Sequence, residues 1–291
     1  LSLYDPKTRS VKTISPVPDS PTPDTIVQTE INIDGIHGAL LKPMNDKTYQ
    51  QKPLFVWLHG GPKRQTSLGY HSYLSYAVYD ELLERLVDSG AYVLKLDYTG
   101  SYGYGNEFID DLTGNVGAIE VQDVINATNE ITKDLSVSKT YLIGNSYGGY
   151  LSTRTLVEEP DLFAGAISIN GVFDWFTLIR HIPSSPFKEY FDGVPDVSPT
   201  TENLPAYLQA SVYSKMPQLT DQKILLVLGE EDSTVPTWQT QEFYYFGKGL
   251  GKDIHLLTFS DEDHILRKRE NLNTLCSTIS ETFELEGVVC E

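Results

Sequence analysis

The run Thr140-Tyr141-Leu142-Ile143-Gly144-Asn145-Ser146-Tyr147-Gly148-Gly149-Tyr150 constrains this chain more than any other stretch. A short apolar segment breaks into a glycine-flanked serine and then into a helix-compatible segment. The pattern is G-x-S-x-G, a sharp strand-to-helix turn that holds its serine in strained backbone geometry. Glycines flank the serine because a Cβ at either position would clash. The Ser146 hydroxyl is thereby lifted clear of the sheet. The next amide, that of Tyr147, points from a helix N-terminus towards any oxyanion formed on an attacked carbonyl. The bare pentapeptide also fits a glycine-rich turn with an incidental serine, so the context decides.

Two later stretches supply that context. Ile224-Leu225-Leu226-Val227-Leu228 reads as a buried strand and empties into Gly229-Glu230-Glu231-Asp232-Ser233-Thr234-Val235-Pro236. Ile254-His255-Leu256-Leu257-Thr258-Phe259 reads as a second strand and empties into Ser260-Asp261-Glu262-Asp263-His264. Ser146, Asp232 and His264 thus all lie just past the C-terminal ends of strands, the edge at which open α/β sheets bind ligands. Their order, Ser then Asp then His, differs from that of chymotrypsin-like and subtilisin-like enzymes. Glu230 and Glu231 are rivals for the acid, and His59 is a rival for the base. A base that precedes the nucleophile breaks the expected order.

The rest of the chain alternates in the same way. Leu54-Phe55-Val56-Trp57-Leu58, Ala91 to Asp97 and Gly165 to Asn170 are strands, the first a continuous apolar run that suits cover on both faces. Helical spacing of apolar residues predicts helices over 71–89, where Gly90 ends the pattern, over 117–135 and over 265–283. A mostly parallel sheet flanked by helices is the architecture this alternation requires. Residues 26–42 form a hairpin around Asp34-Gly35. Residues 1–25 read as a separate hairpin with a turn at Asp5-Pro6 and a proline-rich connector, and residues 26–291 as the main domain. From Gly171 to Pro217 the pattern loosens, with five prolines between Pro183 and Pro205.

Composition narrows the partners. With 22 basic and 40 acidic residues the formal charge is -18, which argues against nucleic acid or an anionic membrane surface. No apolar run reaches transmembrane length. The chain begins with Leu1, so the lack of a targeting signal says nothing about location. The two cysteines, Cys276 and Cys290, form no zinc-binding spacing. A bridge between them needs the chain to fold back near Gly287, and two unpaired thiols are the simpler expectation. Self-association is left open.

The chain resembles the prolyl oligopeptidase family of serine peptidases in its α/β-hydrolase catalytic domain. The resemblance is carried by His59-Gly60-Gly61-Pro62, Gly100-Ser101-Tyr102-Gly103-Tyr104-Gly105, Gly144-Asn145-Ser146-Tyr147-Gly148-Gly149-Tyr150, Asp232-Ser233-Thr234-Val235-Pro236 and Asp261-Glu262-Asp263-His264, in family order over nearly the whole chain. It departs at Thr99, where many relatives carry arginine, and at His59, where some carry tyrosine. It implies Ser146 as nucleophile, His264 as general base and Asp232 as its partner, with the amides of Tyr147 and Gly61 as oxyanion hole and no metal or organic cofactor. It implies a hydrophobic pocket at Tyr147, Val172, Trp175, Leu178 and Val235, suited to proline or another uncharged side chain. A β-propeller precedes the hydrolase in this family, so the first hairpin resembles the end of its last blade. The expected activity is hydrolysis of short peptides; a carboxylester hydrolase and a catalytically silent module are the alternatives.

Overall fold

The computed structural model describes residues 2–5, 10–13, 25–45, 51–66, 74–182, 185–192, 200 and 202–285. The turn after Asp5, the proline-rich connector, Gly287 and Cys290 lie outside them. In chain order the strands are β1 (Ser2–Asp5), β2 (Ser10–Thr13), β3 (Ile26–Ile33), β4 (Ile36–Pro43), β5 (Lys52–Leu58), β6 (Tyr92–Asp97), β7 (Val137–Asn145), β8 (Gly165–Ile169), β9 (Lys223–Gly229) and β10 (Ile254–Phe259). The α-helices are α1 (Leu74–Asp88), α2 (Asn106–Asp110), α3 (Ile119–Asp134), α4 (Tyr147–Glu158), α5 (Trp175–His181), α6 (Lys188–Asp192), α7 (Leu204–Ala210), α8 (Trp238–Gly249) and α9 (Arg269–Phe283).

Eight strands form one sheet in the order β10-β9-β8-β7-β5-β6-β4-β3. The neighbours from β10 to β6 are parallel, and β4 and β3 add antiparallel to that edge. Among the described residues β1 and β2 pair with each other alone, in register Ser2 with Thr13. The continuous apolar runs are explained by cover on both faces. Leu54, Val56 and Leu58 of β5 enter one core with Val121 and Val124 of α3 and Leu151 and Leu156 of α4. The alternate residues Phe55 and Trp57 enter a second core with Leu82 and Leu86 of α1 and Leu275 and Ile279 of α9.

The expected helix over 265–283 is trimmed at its start by a polar group. Residues 265–268 stay out of α9 because the buried Glu262 carboxylate accepts from the Arg267 amide at 2.8 Å and the Lys268 amide at 2.9 Å. Those amides then face an anion at the start of the helix, where it is stabilising. α1 ends on Gly90 at φ 99, with its amide bonded to Val87 O at 2.8 Å. The described residues between 171 and 217 include the short helices α5, α6 and α7; Asp174 caps α5 by accepting from the Phe176 and Thr177 amides. The expectation of unpaired thiols is corrected: Cys276, buried on α9, is disulfide-bonded. Sequence spacing carries no information on that pairing.

At the centre of the sheet α4 passes so near β5 that a Cβ on Gly148 would lie 1.9 Å from Leu58 O, and one on Gly144 2.4 Å from Gly148 C. Gly148→Ala therefore has to push backbone apart. A loss of about 3 kcal/mol or more is expected in a urea unfolding titration.

Candidate active site

Ser146 joins β7 directly to α4 at φ 60 and ψ -123, a conformation that a non-glycine residue adopts only under strain. It is pinned there by its own amide, which donates to Ile169 O at 2.8 Å, and by its carbonyl, which accepts from Tyr150 N at 3.0 Å. The neighbouring Asn145 side chain donates to Ile169 O and to His264 O, both at 3.1 Å. Asn170, at the end of β8, donates to His264 O at 3.0 Å and accepts from Gly229 N at 2.9 Å. Two asparagines thus lock the loops after β9 and β10 against the serine turn.

Those loops carry the acid and the imidazole. Asp232 Oδ2 lies 2.8 Å from His264 Nδ1, while Asp232 Oδ1 accepts from the Thr234 and Val235 amides at 2.8 and 2.9 Å. The carboxylate is 1 % exposed, whereas Glu230 and Glu231 are exposed. A carboxylate only accepts, so His264 presents a protonated Nδ1 to it and leaves the Nε2 lone pair for the cavity. Asp263 holds the loop by accepting from the His264 amide at 2.7 Å and the Ser233 amide at 3.1 Å. These bonds keep its own carboxyl below the ordinary aspartate range.

Ser146 and His264 line one cavity of about 320 Å³ with Trp57, His59, Gly60, Gly61, Arg64 and Phe187 among its other walls. The Ser146 hydroxyl forms no hydrogen bond with His264 or any other described residue. Such bonds often tighten only when substrate is bound. The amides of Tyr147 and Gly61 likewise donate to no described residue; Gly61 lines the cavity, and Tyr147 follows Ser146 at the start of α4.

The loop bearing Gly61 is held from beneath by one buried carboxylate. Asp97, at the end of β6, accepts from Thr66 N at 2.5 Å and from Tyr104 OH at 2.5 Å, and lies 3.4 Å from His59 Nε2. Ser101 Oγ donates to Tyr98 O at 2.7 Å, so it accepts from His59 Nε2 at 2.9 Å. Tyr98 OH closes the ring by donating to His59 O at 2.6 Å. His59 is therefore occupied in holding the loop. Asp97→Asn removes the charge to which both ends of residues 59–66 are tied. It should slow fluorophosphonate labelling of the chain by about 10- to 100-fold, since small displacements of a positioned group are costly.

The residues expected to form a hydrophobic pocket are all buried together: Tyr147, Val172, Trp175, Leu178 and Val235 are at most 3 % exposed. None of them lines the cavity. Phe187 does, with its ring 5.1 Å from that of Trp175 and 6.3 Å from that of Tyr147. Sequence reading missed Phe187, which sits in the irregular stretch, and the supporting Asn145, Asn170 and Asp97. Asn145 alone had a signal, its place inside the serine motif. Among the described residues no group of three His, Cys, Asp or Glu is placed to hold a metal, and no helix is long and apolar enough to cross a membrane.

A strained serine and an imidazole oriented by a carboxylate on one cavity, with one unbonded amide on the cavity wall and another next to the serine, can carry out nucleophilic attack on a carbonyl. The similarities of the chain agree with that chemistry. The acylamino-acid-releasing enzyme of Mus musculus is 27 % identical over 266 residues, covering 89 % of this chain and 34 % of the mouse protein. That of Sus scrofa is 29 % identical over 241 residues, covering 79 % and 31 %. The chain thus spans about a third of the length of the curated relatives it matches. An acylaminoacyl peptidase solved with Z-Gly-Gly-Phe-chloromethyl ketone superposes with a TM-score of 0.73 at 25 % identity, over 91 % of this chain and 42 % of that one. A puromycin-hydrolyzing peptidase of Mycobacterium tuberculosis shares the α/β-hydrolase fold with a TM-score of 0.76 at 21 % identity, over 98 % and 44 %. Residues 78–281 match the profile of the prolyl oligopeptidase family, and by that match this chain belongs to the prolyl oligopeptidase family of serine hydrolases.

Proposed function

We propose that this chain hydrolyses peptide bonds of short peptides through an acyl-enzyme on Ser146. The observation that carries the reading is the strained Ser146 sharing a cavity with His264, whose Nδ1 meets buried Asp232 at 2.8 Å. Ser146 Oγ attacks the carbonyl carbon as His264 Nε2 takes its proton; Asp232 holds the tautomer and stabilises the imidazolium. The Tyr147 and Gly61 amides take the oxyanion. His264 then returns the proton to the leaving amine, which departs, and water repeats the sequence on the acyl-enzyme.

The side chain next to the scissile bond rests against Phe187 on the cavity wall, which is backed by the buried rings of Trp175 and Tyr147. The cavity residues include no carboxylate, which supports an uncharged side chain such as proline over lysine or arginine. The names of the matched relatives point to an acylated amino terminus as the first substrate feature to examine. A two-stranded sheet is only marginally stable alone. We therefore assign residues 1–25 to a separate unit, the edge of a β-propeller of the same polypeptide, and residues 26–291 to the catalytic domain.

The test is a matched panel: acetyl-aminoacyl and free dipeptidyl p-nitroanilides with apolar or basic side chains, and the corresponding p-nitrophenyl esters. Turnover of the apolar anilides, faster with the amino end blocked, is expected. Turnover of esters with no anilide cleaved would make the chain a carboxylester hydrolase instead.

A further inference from the structure

Glu120 opens α3 with no solvent exposure. Burying a carboxyl is costly unless its oxygens are satisfied, and only one of them is. Oε1 accepts from the Gly117 amide at 2.7 Å and from the Tyr147 hydroxyl at 2.8 Å, whereas Oε2 is buried with no hydrogen-bond partner. The approach of α3 to α4 depends on Gly117, at φ 79, where a Cβ would lie 2.6 Å from Tyr150 OH and 3.3 Å from Arg154 Nε. The carboxyl is therefore held against the side chain of the residue that follows the nucleophile. Nothing in the hydrolytic mechanism above uses it.

We propose that Glu120 is a positioning residue for this centre: by clamping the Tyr147 phenol to the start of α3, it fixes and electrostatically tunes the amide beside Ser146. The role rests on the hydrolase reading above. The charged and titratable groups around it are Tyr147, Tyr150 and Arg154 on α4, Tyr98 stacked on the Tyr147 ring at 6.1 Å, and Asp123 on its own helix. Arg154 pairs with Glu158 through Nη1 at 2.5 Å, while its Nε is buried with no hydrogen-bond partner. Burial pushes the Glu120 carboxyl up to about 7, against the opposing bonds from Gly117 and Tyr147.

The sign follows from that direction. Below neutrality the carboxyl is uncharged and acts as a clamp alone. Above neutrality it carries a negative charge behind the amide that must receive a developing oxyanion, and so opposes the reaction. Folding is linked in the same sense: a raised carboxyl contributes most to stability in acid, and that contribution is lost as pH rises from the ordinary glutamate range through about 7.

The experiment measures second-order labelling of Ser146 by a fluorophosphonate from pH 6 to pH 8.5 in wild type and Glu120→Gln. The ratio of the two rates cancels every other titration. It is expected to rise about tenfold across this range in favour of the glutamine variant. A ratio flat with pH overturns the proposal, because a purely structural carboxyl would move the melting temperature with pH and leave the ratio alone. Glu120→Ala removes both acceptor atoms and should slow labelling about tenfold already at pH 6; a wild-type rate there also overturns it. Should that variant not fold, the glutamine ratio decides. Labelling needs no peptide, so a chain that labels but cleaves no amide defeats the peptidase reading and leaves the Glu120 test readable.

Discussion

Ser146→Ala is expected to lower turnover by about 10⁴- to 10⁶-fold and to abolish fluorophosphonate labelling, with the melting temperature held. The chemical loss is large because alanine leaves no hydroxyl in the strained turn, and Thr234 and Tyr79, also on the cavity wall, do not occupy that turn. The fold is spared for a different reason. The Ser146 hydroxyl makes no hydrogen bond to a described residue, while the bonds that keep the turn at φ 60 come from its backbone. Alanine keeps all of those. Intact mass after labelling, beside a thermal melt, measures both halves. Stoichiometric labelling of the alanine variant would remove Ser146 from the nucleophile role.

The second large effect is at the acid. Asp232→Asn should cost about 10⁴ in kcat with the KM for an anilide little changed. Its remaining carbonyl oxygen can still accept from the Thr234 and Val235 amides, which keeps the loop in place. Its amide group, however, now donates to His264 Nδ1 and forces the proton onto Nε2, so the imidazole meets Ser146 with a donor. A base that cannot accept a proton is inert. Kinetics on a single anilide, with circular dichroism to show an intact fold, is the measurement. A loss of less than tenfold would mean that Asp232 does not set the tautomer.

How much of this could be read in advance depends on what each residue faces. β5, β7 and β9 were legible because both faces of each are covered, which leaves unbroken apolar runs such as Leu54 to Leu58. The serine turn was legible because steric exclusion writes glycine at fixed offsets; at 144 and 148 the excluded contacts are with backbone. Asp232 and His264 were legible by their place after strands. Their supports were not, since Asn145 and Asn170 act through carbonyls of a loop more than ninety residues away in sequence.

Glu120 shows a subtler failure. On an amphipathic helix a lone glutamate reads as the solvent side, and Val121, Val124 and Ile125 of α3 by themselves define an inward face. The helix in fact buries a wider arc, with Glu120 beside them, because Tyr147 supplies a hydroxyl inside the core. Phe187 was hidden for a plainer reason. The described residues between 171 and 217 form short helices, the first capped by Asp174, without a repeating apolar period that would mark which aromatic reaches the cavity.

The central claim is that Ser146, His264 and the amides of Tyr147 and Gly61 act on one reacting atom. A crystal structure of the fluorophosphonate adduct tests it most directly. The account expects phosphorus on Ser146 Oγ, the phosphoryl oxygen within hydrogen-bond reach of the Tyr147 and Gly61 amides, and His264 Nε2 turned to the adduct while Nδ1 keeps Asp232. Phosphorus on another residue, or a phosphoryl oxygen turned away from both amides, would contradict it.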